Sequence, residues 1–117
     1  MLKNDKCEIH GSVNRFRDLV YIDDVVDIVS KLLELRTFPL EIINIGTGKK
    51  TTVKEIIEGI CYAIGKDYAN IDIVQPKKTL GDINGIYADN TMLTNLFPKL
   101  NFLNFKEGIK LMAKHYK

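Results

Sequence analysis

The sequence has no tryptophan, only two cysteines, two histidines and three prolines among its 117 residues. Two cysteines do not make a disulfide scaffold in a domain of this size, so Cys7 and Cys61 read as reduced thiols. His10 and His115 lie far apart, and neither has a second His or a Cys at ligand spacing, so no metal site is expected. Nucleophile chemistry from Cys7 and His10 would need a third, orienting group, and nothing marks one. No apolar run approaches the roughly 18 residues of a membrane-spanning helix. The polar start, Met1 to Asp5, lacks the apolar core of a secretory signal. A cytoplasmic chain with no membrane partner is the expectation. One-sided charge is missing as well: 17 Lys and Arg face 15 Asp and Glu, a net charge of +2. With no basic stripe interleaved with aromatics, no nucleic-acid partner is expected. No repeat, low-complexity tract or linker divides the chain, so residues 1–117 read as a single domain.

What is present is an alternation of strand-like and helical patterns, a mixed α/β class with a few short strands and about three main helices. Leu19-Val20-Tyr21-Ile22 is the best early strand candidate. A helix follows from Asp24 to about Arg36, with Val25, Val29 and Leu32 (or Leu33) on one face, Asp24 as N-cap and Asp27 in the first turn. Residues 41–45 form a β-branched run that reads as a strand covered on both faces, ended by Gly46-Thr47-Gly48. Thr52-Val53-Lys54-Glu55 is a capping box opening a second helix, which Gly65 should stop. A β-rich run at 70–74, a polar loop from Lys77 to Gly85 and a short strand at 86–88 come next. Asp89 is placed to cap a short helix through Leu96. Asn104-Phe105-Lys106-Glu107 reads as another capping box, opening a last helix that runs close to Lys117.

Each chemical motif has a plain structural alternative. Gly46-Thr47-Gly48 sits between a strand and a helix, as dinucleotide fingerprints do, but Thr51 stands where a third small residue is needed. It reads as a tight turn. Gly46 and Gly48 are also too close for a phosphate-cradling P-loop. The adjacent Asp23 and Asp24 read as a helix cap and a first-turn acid rather than an acid/base pair. Most basic residues, including the doublets Lys49-Lys50 and Lys77-Lys78, suit a solvated surface. Arg17 adjoins a strand and a helix, where a guanidinium suits bidentate phosphate contact.

A resemblance sharpens this reading. The string from Arg17-Asp18-Leu19-Val20-Tyr21-Ile22 to Asp23-Asp24-Val25-Val26 resembles the RDFVYVDDVA segment of NAD-dependent nucleotide-sugar epimerases and dehydratases, the extended short-chain dehydrogenase/reductase family. Asn44-Ile45-Gly46-Thr47-Gly48 is similar to its NIGTG turn, and Thr52-Val53-Lys54-Glu55 to the SVLEL helix start. Gly81-Asp82 and Tyr87-Ala88-Asp89 resemble its R-P-G-D and ADISKA region. Asn104-Phe105-Lys106-Glu107-Gly108-Ile109 and Tyr116 resemble its closing SLEEGI and WY helix. The five pieces fall in order, from about Cys7 to Lys117.

The resemblance implies the C-terminal, nucleotide-sugar-binding lobe of such an enzyme. NAD would be the cofactor of the parent, held on an N-terminal Rossmann domain that this chain is expected to lack. The family's catalytic Tyr-x-x-x-Lys also falls outside this lobe. Tyr62 and Lys66 have the bare spacing but read as coincidence. No catalytic or cofactor-binding residue is therefore assigned, and the chain alone should not turn over. By resemblance Arg17 contacts the nucleotide diphosphate and Asp82 the ribose. Thr79 stands where a second phosphate-binding Arg is usual, with Lys77 or Lys78 available as a point charge, and Val13 and Arg15 replace a usual Gly and Gln. These departures leave the nucleotide open. The implied partners are a nucleotide diphosphate sugar and the missing Rossmann domain, and a second copy is expected to cover exposed apolar surface. Two further readings stay open: a stand-alone nucleotide or nucleotide-sugar binding module, and an oligomerisation domain without chemistry.

Overall fold

A computed structural model describes residues 5–37, 42–75, 81 and 83–115. In chain order the elements are strands β1 (Lys6–Glu8) and β2 (Phe16–Arg17), helix α1 (Ile22–Leu33), strand β3 (Thr51–Thr52) and helix α2 (Val53–Ala63). A 3-10 turn (Tyr68–Asn70), strands β4 (Asp72–Val74) and β5 (Gly85–Ile86), and helices α3 (Thr91–Leu96) and α4 (Phe105–Lys114) complete the set. β1 and β4 pair in parallel, with Cys7 beside Ile73. β2 is the centre of a second sheet, antiparallel to β3 and parallel to β5.

The helices follow their local chemistry. Thr52 caps α2 through a complete capping box: its hydroxyl accepts from Glu55 N–H at 3.1 Å, and Glu55 Oε2 accepts from Thr52 N–H at 2.7 Å. Gly65, at φ +73°, sits just past the helix end and donates to Tyr62 O, as the terminating glycine should. Asn104 caps α4 by accepting from Lys106 N–H at 2.9 Å, one residue earlier than a capping box requires.

Other expectations are corrected. Residues 19–22 form no strand: pairing stops at Arg17, and α1 begins two residues before Asp24 with Tyr21 as N-cap. Asp24 therefore lies in the first turn beside Asp23, and accepts from Leu103 N–H at 2.9 Å, tying α1 to the approach to α4. α1 also stops at Leu33, short of Arg36. Residues 42–45 join no strand among the described residues. Ile43 and Ile45 point inward while Ile42 is exposed, so only one side is covered. The short strand is Gly85–Ile86, one residue earlier than expected, and α3 starts at Thr91. Pro39, Pro76 and Tyr116 lie outside the described residues.

The core is divided. Cys7, Ile9, Ile57, Cys61 and Ile71 are buried together, with Val13, Val53, Tyr68 and Ile73 against them. Ile28, Leu32 and Leu93 form a second cluster with Ile43, Ile45, Phe97, Leu100 and Phe102 around it. The i, i+4 pairs Ile28/Leu32 and Ile57/Cys61 give α1 and α2 their inward faces. Burial, with the nearby Cys7 adding to it, raises the Cys61 thiol above its ordinary pKa. Both thiols are buried, so a disulfide-exchange reagent should react with neither Cys7 nor Cys61 until the chain is denatured; a fast native reaction would contradict that placement.

A second face of α1 is left open among the described residues. Ile22, Val26, Val29 and Leu33 recur along one stripe and are 64%, 57%, 42% and 75% exposed. An open groove of about 740 Å³ continues from it, lined by Val20, Tyr21, Ile22, Asp23, Met112 and His115. The radius of gyration is 17.1 Å, where a compact chain of this length has about 13 Å. The accessible surface is 8846 Å², against about 6,500 Å² for a compact protein of this mass.

Candidate functional site

The sheet β3-β2-β5 and the turns at its end carry the residues singled out by sequence. Arg17 closes β2 at the centre of this sheet, flanked in register by Thr51 of β3 and Ile86 of β5. Its guanidinium is exposed, and Nη1 donates to the Phe16 carbonyl at 2.7 Å. The other three expected ligands, Asp82, Lys77 and Lys78, lie outside the described residues, as does Thr79.

The residue after Arg17 does more than local patterning could reveal. Asp18 is half-buried, and its carboxylate collects four donors. Thr47 N–H donates to Oδ1 at 3.0 Å, joined there by the Thr47 hydroxyl. Gly48 N–H donates to Oδ2 at 2.9 Å and Ala88 N–H at 3.1 Å. Partial burial by itself pushes this carboxyl up, and is the largest single influence. The hydrogen bonds from Thr47, Ala88 and Gly48 together outweigh it, so the group lies below its ordinary value. One carboxylate thus ties the end of β2 to the turn leading into β3 and to the segment leaving β5.

The surrounding groups complete that tie. Asn90 Nδ2 donates to Gly46 O at 3.1 Å, and Asn44 Nδ2 to Asp89 O at 3.2 Å. A Cβ on Gly46 would overlap Ala88 Cβ and come within 2.8 Å of Asp18 Oδ2, so only glycine fits. Gly48 adopts φ +71°, which a side chain rarely tolerates.

This geometry tests the dinucleotide reading of the glycine turn. The amides of Thr47 and Gly48, which would have to point at a pyrophosphate, are already given to Asp18. The turn does not fit NAD. Tyr62 and Lys66 also go separate ways. Lys110 Nζ lies 4.9 Å over the exposed Tyr62 ring, while Lys66 pairs with Asp5. Among the described residues no group of three His, Cys, Asp or Glu side chains could hold a metal ion, and no helix is long and apolar enough to cross a membrane.

Sequence reasoning missed two features here. Asp18 was visible as the carboxylate beside Arg17, but its donors lie 29 to 70 residues away. Lys50, taken as a solvated lysine, stands 4.9 Å from the ring centroids of both Phe16 and Tyr87.

Comparison with known proteins agrees with the fold and narrows its kind. No family model matches the chain. A candidate UDP-glucose 4-epimerase from Methanocaldococcus jannaschii is 36% identical over all 117 residues, which make up 36% of that protein. Among solved structures, the UDP-glucose 4-epimerase of Thermotoga maritima, determined with UDP-glucose, is 30% identical with a TM-score of 0.75. The match covers 95% of this chain and 34% of that one. The UDP-glucuronic acid 4-epimerase of Bacillus cereus, in complex with UDP-glucuronic acid and NAD, shares the fold at 23% identity and a TM-score of 0.77. The match there covers 94% of this chain and 35% of that one. The chain spans about a third of the length of the relatives it matches. It is a homologue of the C-terminal portion of NAD-dependent nucleotide-sugar epimerases and dehydratases, the extended short-chain dehydrogenase/reductase family.

Proposed function

We propose that this chain is the nucleotide-sugar-binding part of an NAD-dependent sugar epimerase or dehydratase, and that it does not turn over alone. The observation that carries this reading is the bare apolar stripe of α1. Ile22, Val26, Val29 and Leu33 have the spacing of a buried helix face and are exposed. A helix face of this kind exists to be covered. Surface of about 2,300 Å² in excess of a compact protein's is of the size that a permanent interface buries. The occupant we assign is the N-terminal Rossmann domain of the parent, and NAD would be held there. The contribution of this chain is to clamp the nucleotide diphosphate with Arg17 and orient the sugar. Asp82, Lys77 and Lys78 remain part of the same proposal.

The decisive experiment is binding of UDP-glucose by calorimetry. Loss of a charged hydrogen-bonding group costs about 1.5–3 kcal/mol. Arg17→Ala should therefore weaken binding by roughly one to two orders of magnitude. Unchanged affinity would remove Arg17 from the site. The chain supplied with UDP-glucose and NAD should form no epimerised product, whereas adding the N-terminal two-thirds of the M. jannaschii relative should restore turnover. Turnover by the chain alone would refute the reading.

Without that partner, a second copy is the available cover for the stripe. Sedimentation should show concentration-dependent association, and Val26→Lys, which puts a charge at the stripe's centre, should shift the chain towards monomer. A monomer at high concentration with the stripe intact would refute this use of the face.

A further inference from the structure

The face of the sheet turned away from Arg17 carries a cluster that the proposed function leaves unused. Successive side chains leave a strand on opposite faces, so Phe16 and Arg17 point to opposite sides of β2. Register then puts Thr51 and Ile86 on the Arg17 side, and Thr52 and Gly85 on the Phe16 side. The Phe16 ring lies flat on Gly85, where a Cβ would overlap several ring carbons. Tyr87, next after β5, brings its ring centroid to 6.3 Å from that of Phe16 at an interplanar angle of 52°. Lys50, just before β3, reaches over both rings, its ammonium 4.9 Å from each centroid.

The cluster takes one residue from each strand or its margin, in a sheet whose strands are two residues long. Ladders that short hold weakly by backbone bonds alone. One such bond between β2 and β5 runs from Phe16 N–H to Asn84 O at 3.1 Å. An ammonium attracted to two ring faces at once adds a tie across all three strands. Ile86, on β5, sits beside Arg17 on the opposite side. Any shift of β5 therefore changes what stands next to the guanidinium.

We propose that Lys50 is a positioning residue: clasped by Phe16 and Tyr87, its ammonium holds β5 and β3 to β2 from the far side and so sets the geometry of the Arg17 face without touching ligand. The step from sheet to ligand rests on the reading of Arg17 given above; the hold on the sheet does not.

The test compares the chain with Lys50→Met, which keeps an unbranched apolar stem, and Lys50→Arg, which keeps the cation. Two quantities are read: hydrogen exchange of the Phe16 amide, and the dissociation constant for UDP-glucose. Cation–aromatic contacts at exposed sites predict a change of about twofold to fivefold. Lys50→Met should speed Phe16 exchange and weaken UDP-glucose binding by such factors, and Lys50→Arg should restore both. Weaker binding with unchanged Phe16 exchange would make Lys50 a direct ligand contact and overturn the proposal. No change in either quantity would overturn it as well, while Arg17→Ala could still uphold the proposed function. A parent chain that binds no UDP-glucose, but whose Phe16 exchange responds to Lys50→Met and recovers with Lys50→Arg, would defeat the function and uphold the hold on the sheet.

Discussion

Asp18→Ala should destabilise the chain by about 2–4 kcal/mol at pH 7, since it strands the amides of Thr47, Gly48 and Ala88 together. Asp18→Asn should recover only part of this, because an amide has one acceptor oxygen where the carboxylate uses two. The effect carries a pH signature. The folded-state pKa of Asp18 is lowered, so its contribution is fully present above the unfolded value of about 3.9 and disappears as the pH falls through the folded value. Urea titrations of the unsubstituted chain, Asp18→Ala and Asp18→Asn at pH 7 and at successively lower pH check this: the gap should narrow as the pH falls below the unfolded value. Gly46→Ala attacks the same knot, by overlap with Ala88 and close approach to Asp18 Oδ2, and should also weaken it. A gap below about 0.5 kcal/mol at pH 7, the range of neutral surface changes, would show that the carboxylate does not organise the turns. Glu55 is also lowered, by its bonds from Thr52, so acid should loosen the start of α2 in the same direction.

Leu93→Ala is the second large effect. Leu93 is fully buried between α1 and the loop after α3, and truncation of such a leucine costs about 3–5 kcal/mol. In a domain whose whole stability is about 5–15 kcal/mol, that is a large fraction. Ile57→Ala strikes the other cluster at about 2–4 kcal/mol. Because the two clusters share no buried residue, the two losses should add. Denaturant midpoints of both single variants and the double variant measure this. A double loss far below the sum would show one cooperative core where the burial pattern has two.

Where signals were local, the sequence was legible. The capping box at Thr52 and the stop at Gly65 need only a few neighbouring residues, and both formed as read. Leu19 to Ile22 misled because an apolar β-branched run looks alike whether it pairs or merely enters a helix; among the described residues no neighbouring strand pairs beyond Arg17. Residues 42–45 misled for a related reason. Their apolar pattern reports burial of Ile43 and Ile45 against α1 and α3, and a chain can bury side chains without pairing its backbone. Among the described residues only Arg17 was singled out for the candidate site, first by its place beside a strand and a helix and then by resemblance. The role of Asp18 depends on donors from two distant turns, and that of Lys50 on two strands meeting, neither of which leaves a periodic trace.

The pairing of β1 with β4 has a consequence for the order of folding. Cys7 lies against Ile73, and Asp72 N–H donates to Asp5 O at 2.8 Å, so the first strand finds its partner only after most of the intervening chain has been gathered in. Closing so long a loop costs conformational entropy before any contact repays it, and parallel pairing across such a span is slow. The meeting of α1 and α3 over Leu93 needs a closure of similar length, since Ile28 and Leu32 lie 65 and 61 residues before Leu93 in the sequence. Cys7 is therefore buried only once the closure of β1 on β4 is made, and its thiol should stay open to oxidants until then.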